Sequence, residues 1–520
     1  MILSSPLAPR SAMRRSSLPA PLAALLLVVF AAFPAAAQVE TTPRAGVSKD
    51  FPPEEFAARR TRVLAALGTG AVAVVQGAPA PRGYTRFRQS NEFYYLTGIE
   101  VPGAYLVLDG AARRAFVFLP HRNEGRERSE GPLLSAEDAG YLRDTLRFDG
   151  AYGTDLLAEH LTRIARGRTG VPILYTPLMP AEGLAESRDL GMRVDADAAS
   201  DPWDGRESRA GRFVRLVRER LPAFEIRDLT PALDSLRLVK SPRELDLIRK
   251  ATRLSGLAIL EAMRSTEPGM REAELDALAR FIYFREGAQG DAYYSLVASA
   301  HNAYFPHYHE GARTMRSGDF VLMDYAPDVG YYMSDVTRMW PVDGRFAPWQ
   351  RELYTFYLSC YRAILTRIRP GVTPAQIGQE AAVEMQAVFA RTTFSKPEYE
   401  RAARQFVTLY RARSSAPGSL LGHWVGMATH DVGTLAPGTV LRPGMVFTIE
   451  PALTVPEERV YIRLEDLIIV TETGAEITSD FVPMDADAIE AMMREPGLLK
   501  TYPRPLEAFE RSLAPRSGGR

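Results

Sequence analysis

The sequence predicts a smaller α/β unit followed by a larger α+β domain, and three observations predict it. Short β-type apolar runs mix with helical stretches as far as Thr230. Two helical patterns then open the second half, and from Leu296 onwards β-type runs dominate, interrupted by helices in blocks. The chain has 520 residues, 46% hydrophobic and 24% charged, which is ordinary globular composition and long enough for two or more domains.

Residues 1–37 read as an export signal. Arg10, Arg14 and Arg15 form a basic region, Leu22 to Phe33 an apolar core, and Ala35-Ala36-Ala37 a small-residue cleavage site. The apolar run is shorter than the ~20 residues a membrane span needs, so the reading is removal rather than anchoring. Met13 is an alternative start, and Arg14-Arg15 weakly echoes a twin-arginine signal. The mature protein is therefore expected to be exported, periplasmic or secreted, with no stable span.

After a polar stretch, Pro52 to Leu67 reads as a helix and Ala71-Val72-Ala73-Val74-Val75 as a buried strand. Phe93 to Leu96, Ala104 to Leu108 and Ala115 to Leu119 read as further strands. Helices are expected near 136–147, 154–166 and 205–220. Asp234 to Pro242 reads as the boundary, with domains at 46–232 and 236–496. Ser241-Pro242-Arg243-Glu244 carries the N-cap, first-turn proline and acidic residue of a helix start. Further helices are expected near 272–286, 348–368 and 374–391, and residues 497–520 read as a disordered tail.

Lys+Arg and Asp+Glu both number 63, so no net field favours nucleic acid. Cys360 is the single cysteine, which excludes a disulfide framework; its helical setting makes it a buried apolar group rather than a nucleophile. His121 and His160 read as surface residues, and His301 and His309 have no assigned role.

Chemistry concentrates in the second half. Asp324 ends the run Phe320-Val321-Leu322-Met323, and Asp335 lies in Ser334-Asp335-Val336-Thr337-Arg338. Turn material between them would bring both carboxylates together. Glu450 follows Met445-Val446-Phe447-Thr448-Ile449, Glu465 follows Val460-Tyr461-Ile462-Arg463-Leu464, and His423 follows a glycine. An acid at the end of an apolar run is costly to bury unless it is paired or metal-bound. Four carboxylates and an imidazole form a hard, oxygen-rich set suited to manganese, magnesium or zinc. One ion could not use all five; two ions sharing bridging carboxylates could. Strand alternation places Arg463 on the same face as Glu465, lining the site.

These segments, with His430-Asp431-Val432-Gly433, Pro443 to Pro451 and Arg463 to Asp466, resemble aminopeptidase P and prolidase, the proline-specific pita-bread metallopeptidases. Phe87-Arg88-Gln89-Ser90-Asn91-Glu92-Phe93-Tyr94-Tyr95-Leu96-Thr97-Gly98 resembles the N-terminal domain of aminopeptidase P in particular. The resemblance implies a C-terminal pita-bread catalytic domain, an Xaa-Pro aminopeptidase activity, X-Pro peptides as substrate and a homo-oligomer, dimer or tetramer. It implies two divalent ions, manganese first and zinc or cobalt as alternatives. Asp324 would bind one ion, Asp335 and Glu465 would bridge, and His423 and Glu450 would complete the second. It further implies proton transfer by Glu450, a substrate-side role for His307 and an oxyanion-steadying role for His430.

The sequence departs from the family pattern in three places. Ser419 stands where a histidine is usual, the interval from Glu450 to Glu465 is short, and Tyr94 replaces a tryptophan thought to reach a neighbouring subunit's site. Prolidase is the alternative activity, since the same ligands serve both. A creatinase-like hydrolase and a metal-free binding module rank below them, because all five ligands are kept.

Overall fold

The computed structural model describes residues 45–179, 187–415, 421–433 and 438–502. The expected export signal, Ser419 and most of the expected tail lie outside the described residues.

The first half is built on a mixed six-stranded sheet. Its strands are β1 (Ala71–Gln76), β2 (Tyr105–Asp109), β3 (Arg114–Leu119), β4 (Gly150–Gly153), β5 (Ile173–Thr176) and β6 (Glu225–Asp228), in the order β4-β3-β2-β1-β5-β6. The expected helix forms at Pro53–Leu67, with Pro53 in the first turn beside Glu54 and Glu55, and buries Phe56, Val63 and Leu64. The central strand β1 is buried almost throughout, as its unbroken apolar run predicts.

Phe93 to Leu96, expected as a strand, belongs to a helix, Asn91–Thr97, in which all seven residues are buried. A short apolar run has no period that separates the two forms. What ends the helix is Gly98, at φ 64, where a Cβ would lie 2.4 Å from the Phe56 ring. This corrects the placement of Tyr94 as a site residue. Its ring stacks on Tyr331 at 3.6 Å between centroids and its hydroxyl lies 2.8 Å from Ser48 Oγ, so it is core. His160 also departs from expectation: it packs edge-on against Phe116 and Phe118. His121 is exposed between Glu137 and Asp155, as expected.

In the second half, the predicted helix start at Ser241 forms, and Ser241 and Glu244 close a capping box on the helix Pro242–Ser265. The expected boundary segment is helical through Leu238. The helix Glu272–Arg285 follows. The strands are β7 (Gly290–Asp291), β8 (Leu296–Ser299), β9 (Phe320–Asp324), β10 (Pro327–Asp328), β11 (Thr337–Pro341), β12 (Val446–Ile449), β13 (Ala452–Val455), β14 (Val460–Arg463), β15 (Asp466–Val470) and β16 (Ala475–Ile477). They form antiparallel sheets ordered β11-β9-β8 and β12-β15-β16, with β13-β14 and β10-β7 as two-stranded pairs. Helices Pro348–Leu365 and Pro374–Arg391 match the sequence reading, and a third, Pro397–Ser414, was not foreseen. Cys360 is fully buried and its thiol is pushed up to about 12 by burial, which excludes a nucleophilic role. The expected tail begins with a short helix, Leu498–Thr501. Among the described residues no helix is long and apolar enough to cross a membrane.

The two halves share an apolar core. Phe51, Tyr94 and Tyr95 pack in one cluster with Tyr331, Val425, Leu467 and Ile469.

Candidate metal centre

Strand ends deliver the acids to one place. β9 ends at Asp324, and β11 pairs with it antiparallel, setting Thr337 opposite Asp324. On its other side Thr337 meets Glu465 through reciprocal backbone hydrogen bonds of 3.2 and 3.1 Å, and its hydroxyl donates to Glu465 Oε2 at 2.8 Å. Asp335 lies two residues before Thr337. β12 and β14 end just before Glu450 and Glu465 respectively.

His423 is held against β12. Its backbone N–H donates to Thr448 Oγ1 at 3.1 Å, and its carbonyl accepts from Thr448 N at 2.9 Å. Gly422 permits this approach, because a Cβ there would lie 2.2 Å from the Thr448 carbonyl oxygen. That oxygen is backbone and cannot rotate away. Gly422→Ala is therefore expected to displace His423 and weaken metal affinity about 10-fold or more. Metal titration checks this; wild-type affinity in the variant would show that the loop adapts.

His423 Nε2 lies 3.4 Å from both Asp335 Oδ2 and Glu450 Oε1, and 3.8 Å from Glu465 Oε1. Ligand atoms of Asp335, His423 and Glu465 all fall within 4.8 Å of one another. Asp324 joins them through two neighbours. The Tyr293 hydroxyl lies against Asp324 Oδ1 and 2.7 Å from Asp335 Oδ1. The Arg463 guanidinium is paired with Asp324, lies 3.5 Å from Glu450 and 4.0 Å from Glu465.

Burial, and after it the neighbouring acids, pushes both Asp335 and Glu465 well above the usual carboxylate range. Glu465 Oε1 is buried without a hydrogen-bond partner. Arg463 brings one positive charge to four acids, and burial opposes even that charge until Asp324 and Glu465 hold it. The remaining negative charge and the orphaned oxygen fit divalent cations bound by oxygen and imidazole.

A cavity of about 120 Å³ opens over the cluster, with His307, His430, Tyr293 and Tyr294 among its walls. The His430 ring packs on His423 with centroids 3.9 Å apart. Burial, and then His423, pushes His430 down to about 4. His309, unassigned from sequence, packs on Tyr294 at 4.3 Å. All the residues expected at the site thus converge except Tyr94, and Ser419 lies outside the described residues. Sequence reasoning missed Tyr293, whose only local signal is a polar tip just before an apolar strand. It also missed Asp189, on the helix Arg188–Ser200, which reaches His430 from the first half.

Residues 246–472 match metallopeptidase family M24, and residues 56–174 match the aminopeptidase P N-terminal domain. An Xaa-Pro aminopeptidase of Escherichia coli is 30% identical over 460 residues, covering 85% of this chain and 97% of that protein. The chain belongs to the Xaa-Pro aminopeptidase family of M24 metallopeptidases. Solved members of this family share its fold. Aminopeptidase P from E. coli with the inhibitor Pro-Leu superposes with a TM-score of 0.68 at 27% identity, covering 85% of this chain and 98% of that one. Proline aminopeptidase P II from Yersinia pestis gives 0.67 at 29% identity, over 85% and 99% of the two chains. Membership carries a pita-bread catalytic half and a dependence on divalent metal ions. The five clustered ligands, His307 and His430 lie inside the M24 match. The helix Arg188–Ser200 lies in neither matched segment.

Proposed function

We propose that this chain is an Xaa-Pro aminopeptidase, a dinuclear-metal exopeptidase that hydrolyses the bond between an N-terminal residue and a following proline. The observation that carries the reading is the convergence of three buried acids, the half-buried Glu450 and His423 beneath one small cavity.

In this reading Asp324, Asp335, His423, Glu450 and Glu465 would hold two divalent ions. Bound there, the ions supply polarisation of the scissile carbonyl and a water of lowered pKa. Glu450 takes the proton of the attacking water and delivers it to the leaving nitrogen. That delivery is needed because a proline amide nitrogen carries no hydrogen of its own. Water adds to the carbonyl carbon, the C–N bond breaks, and the proton leaves on the proline. Arg463 holds Asp324 and Glu450 in register. His307 lies on the substrate side and His430 where charge builds on the carbonyl oxygen.

The oxygen-rich donor set supports manganese as the native metal, with zinc or cobalt as alternatives. Domains at 46–232 and 236–496, export after loss of residues 1–37, and a dimer or tetramer complete the reading. The match of the first half to the aminopeptidase P N-terminal domain favours this activity over prolidase.

The test is hydrolysis of an X-Pro dipeptide, an X-Pro-Y tripeptide and an X-Ala-Y control by the manganese-loaded protein lacking residues 1–37. Cleavage of the tripeptide but not the control is expected. Cleavage of the dipeptide alone would make the enzyme a prolidase. Failure on all three with metal bound would overturn the substrate assignment.

A further inference from the structure

The helix Arg188–Ser200 rises from the first half of the chain and presents its first turn to the candidate active site. Asp189 Oδ1 lies 3.1 Å from His430 Nδ1. The backbones are also joined: Ser187 bridges His430 in parallel, and Arg188 N–H donates to the His430 carbonyl at 3.0 Å. The segment is anchored from behind. Arg188, with only 7% of its side chain exposed, pairs with Asp234 at 2.7 Å and Glu92 at 3.5 Å. Glu92 also pairs with Arg237 at 2.8 Å, and Arg237 pairs with Asp431, the residue after His430. The backbone segments that carry the carboxylate and the imidazole are thus tied to one buried ionic frame.

We propose that Asp189 is a positioning residue for His430, fixing the orientation and tautomer of the ring from outside the catalytic half. This rests on the assignment of His430 to the substrate pocket. An ionised carboxylate only accepts, so the proton between the two groups sits on Nδ1. Contact with substrate then falls to Nε2, on the far side of the ring. Packing on His423 holds the plane of the ring. With the ring so held, Nε2 faces the cavity, where a hydroxyl of the tetrahedral adduct can donate to it. A first-turn acid that merely offsets a helix dipole would do none of this.

The test uses Asp189→Ala and Asp189→Glu in the full chain. Kinetics are read with manganese, and imidazole ¹⁵N resonances with zinc. Asp189→Ala is expected to lower kcat on X-Pro-Y about 10- to 100-fold. KM, metal content and Tm should stay near wild type. The His430 proton should leave Nδ1 for Nε2, and Asp189→Glu should recover part of both signals. An unchanged kcat, an unchanged tautomer, or a kcat loss that tracks metal or Tm would overturn the proposal. If the wild type does not cleave X-Pro-Y but the tautomer still switches, the positioning claim stands and the substrate assignment falls.

Discussion

Asp335→Asn is expected to abolish peptide hydrolysis while leaving the fold intact. The side chain sits 3.4 Å from His423 Nε2 and 2.7 Å from the Tyr293 hydroxyl, at the centre of the cluster. The amide keeps the shape but removes the charge and one of the two oxygens on which a bridging ligand depends. It also relieves crowding among acids that burial and mutual repulsion already push towards protonation. The metal-free variant is therefore expected to be at least as stable as the wild type. A loss of about 4 kcal/mol in transition-state stabilisation corresponds to roughly 10³-fold in rate. Metal analysis, thermal melting and turnover on X-Pro-Y check the three statements together. Full activity with both ions bound would remove Asp335 from the centre.

The second large effect is structural. Arg338 and Asp466 form an ion pair with neither side chain exposed. Arg338 also donates to the Glu465 carbonyl at 2.8 Å, and Tyr361 donates to Asp466 Oδ2 at 2.8 Å. Removing one partner strands a buried charge, which commonly costs about 3–5 kcal/mol. Arg338→Met is expected to lose that much stability in denaturant titration. The double variant Arg338→Met/Asp466→Leu should recover part of it, because no bare charge remains. The pair brackets Glu465, so the single variant should also lose metal affinity. Wild-type stability in the single variant would refute this account.

What was legible in the sequence followed from costs that act locally. An acid closing an apolar strand has few bland explanations, so Asp324, Glu450 and Glu465 stood out, and strand alternation aligned Arg463 with Glu465. The helix start at Ser241 was readable because its N-cap, proline and first-turn acid lie within four consecutive residues. What was not legible depends on distant partners. Phe93 to Leu96 is helical because Gly98 turns the chain beneath the Phe56 ring, and Tyr94 is core because Tyr331 stacks on it. His160 is half-buried against rings of two neighbouring strands, Phe116 and Phe118 on one and Tyr152 on the other. Asp189 looks like any first-turn helix acid until His430, far along the chain, is set beside it.

The shared apolar core has a bearing on synthesis. Tyr94 and Tyr95 leave the ribosome long before Leu467 and Ile469, the last members of their apolar cluster to be made. At ordinary elongation rates the gap is roughly 20 to 75 s. Through that interval these rings have only first-half neighbours, such as Phe56 and Arg59, for cover. A chaperone that shields this face would act while the metal ligands, from Asp324 to Glu465, are still being made.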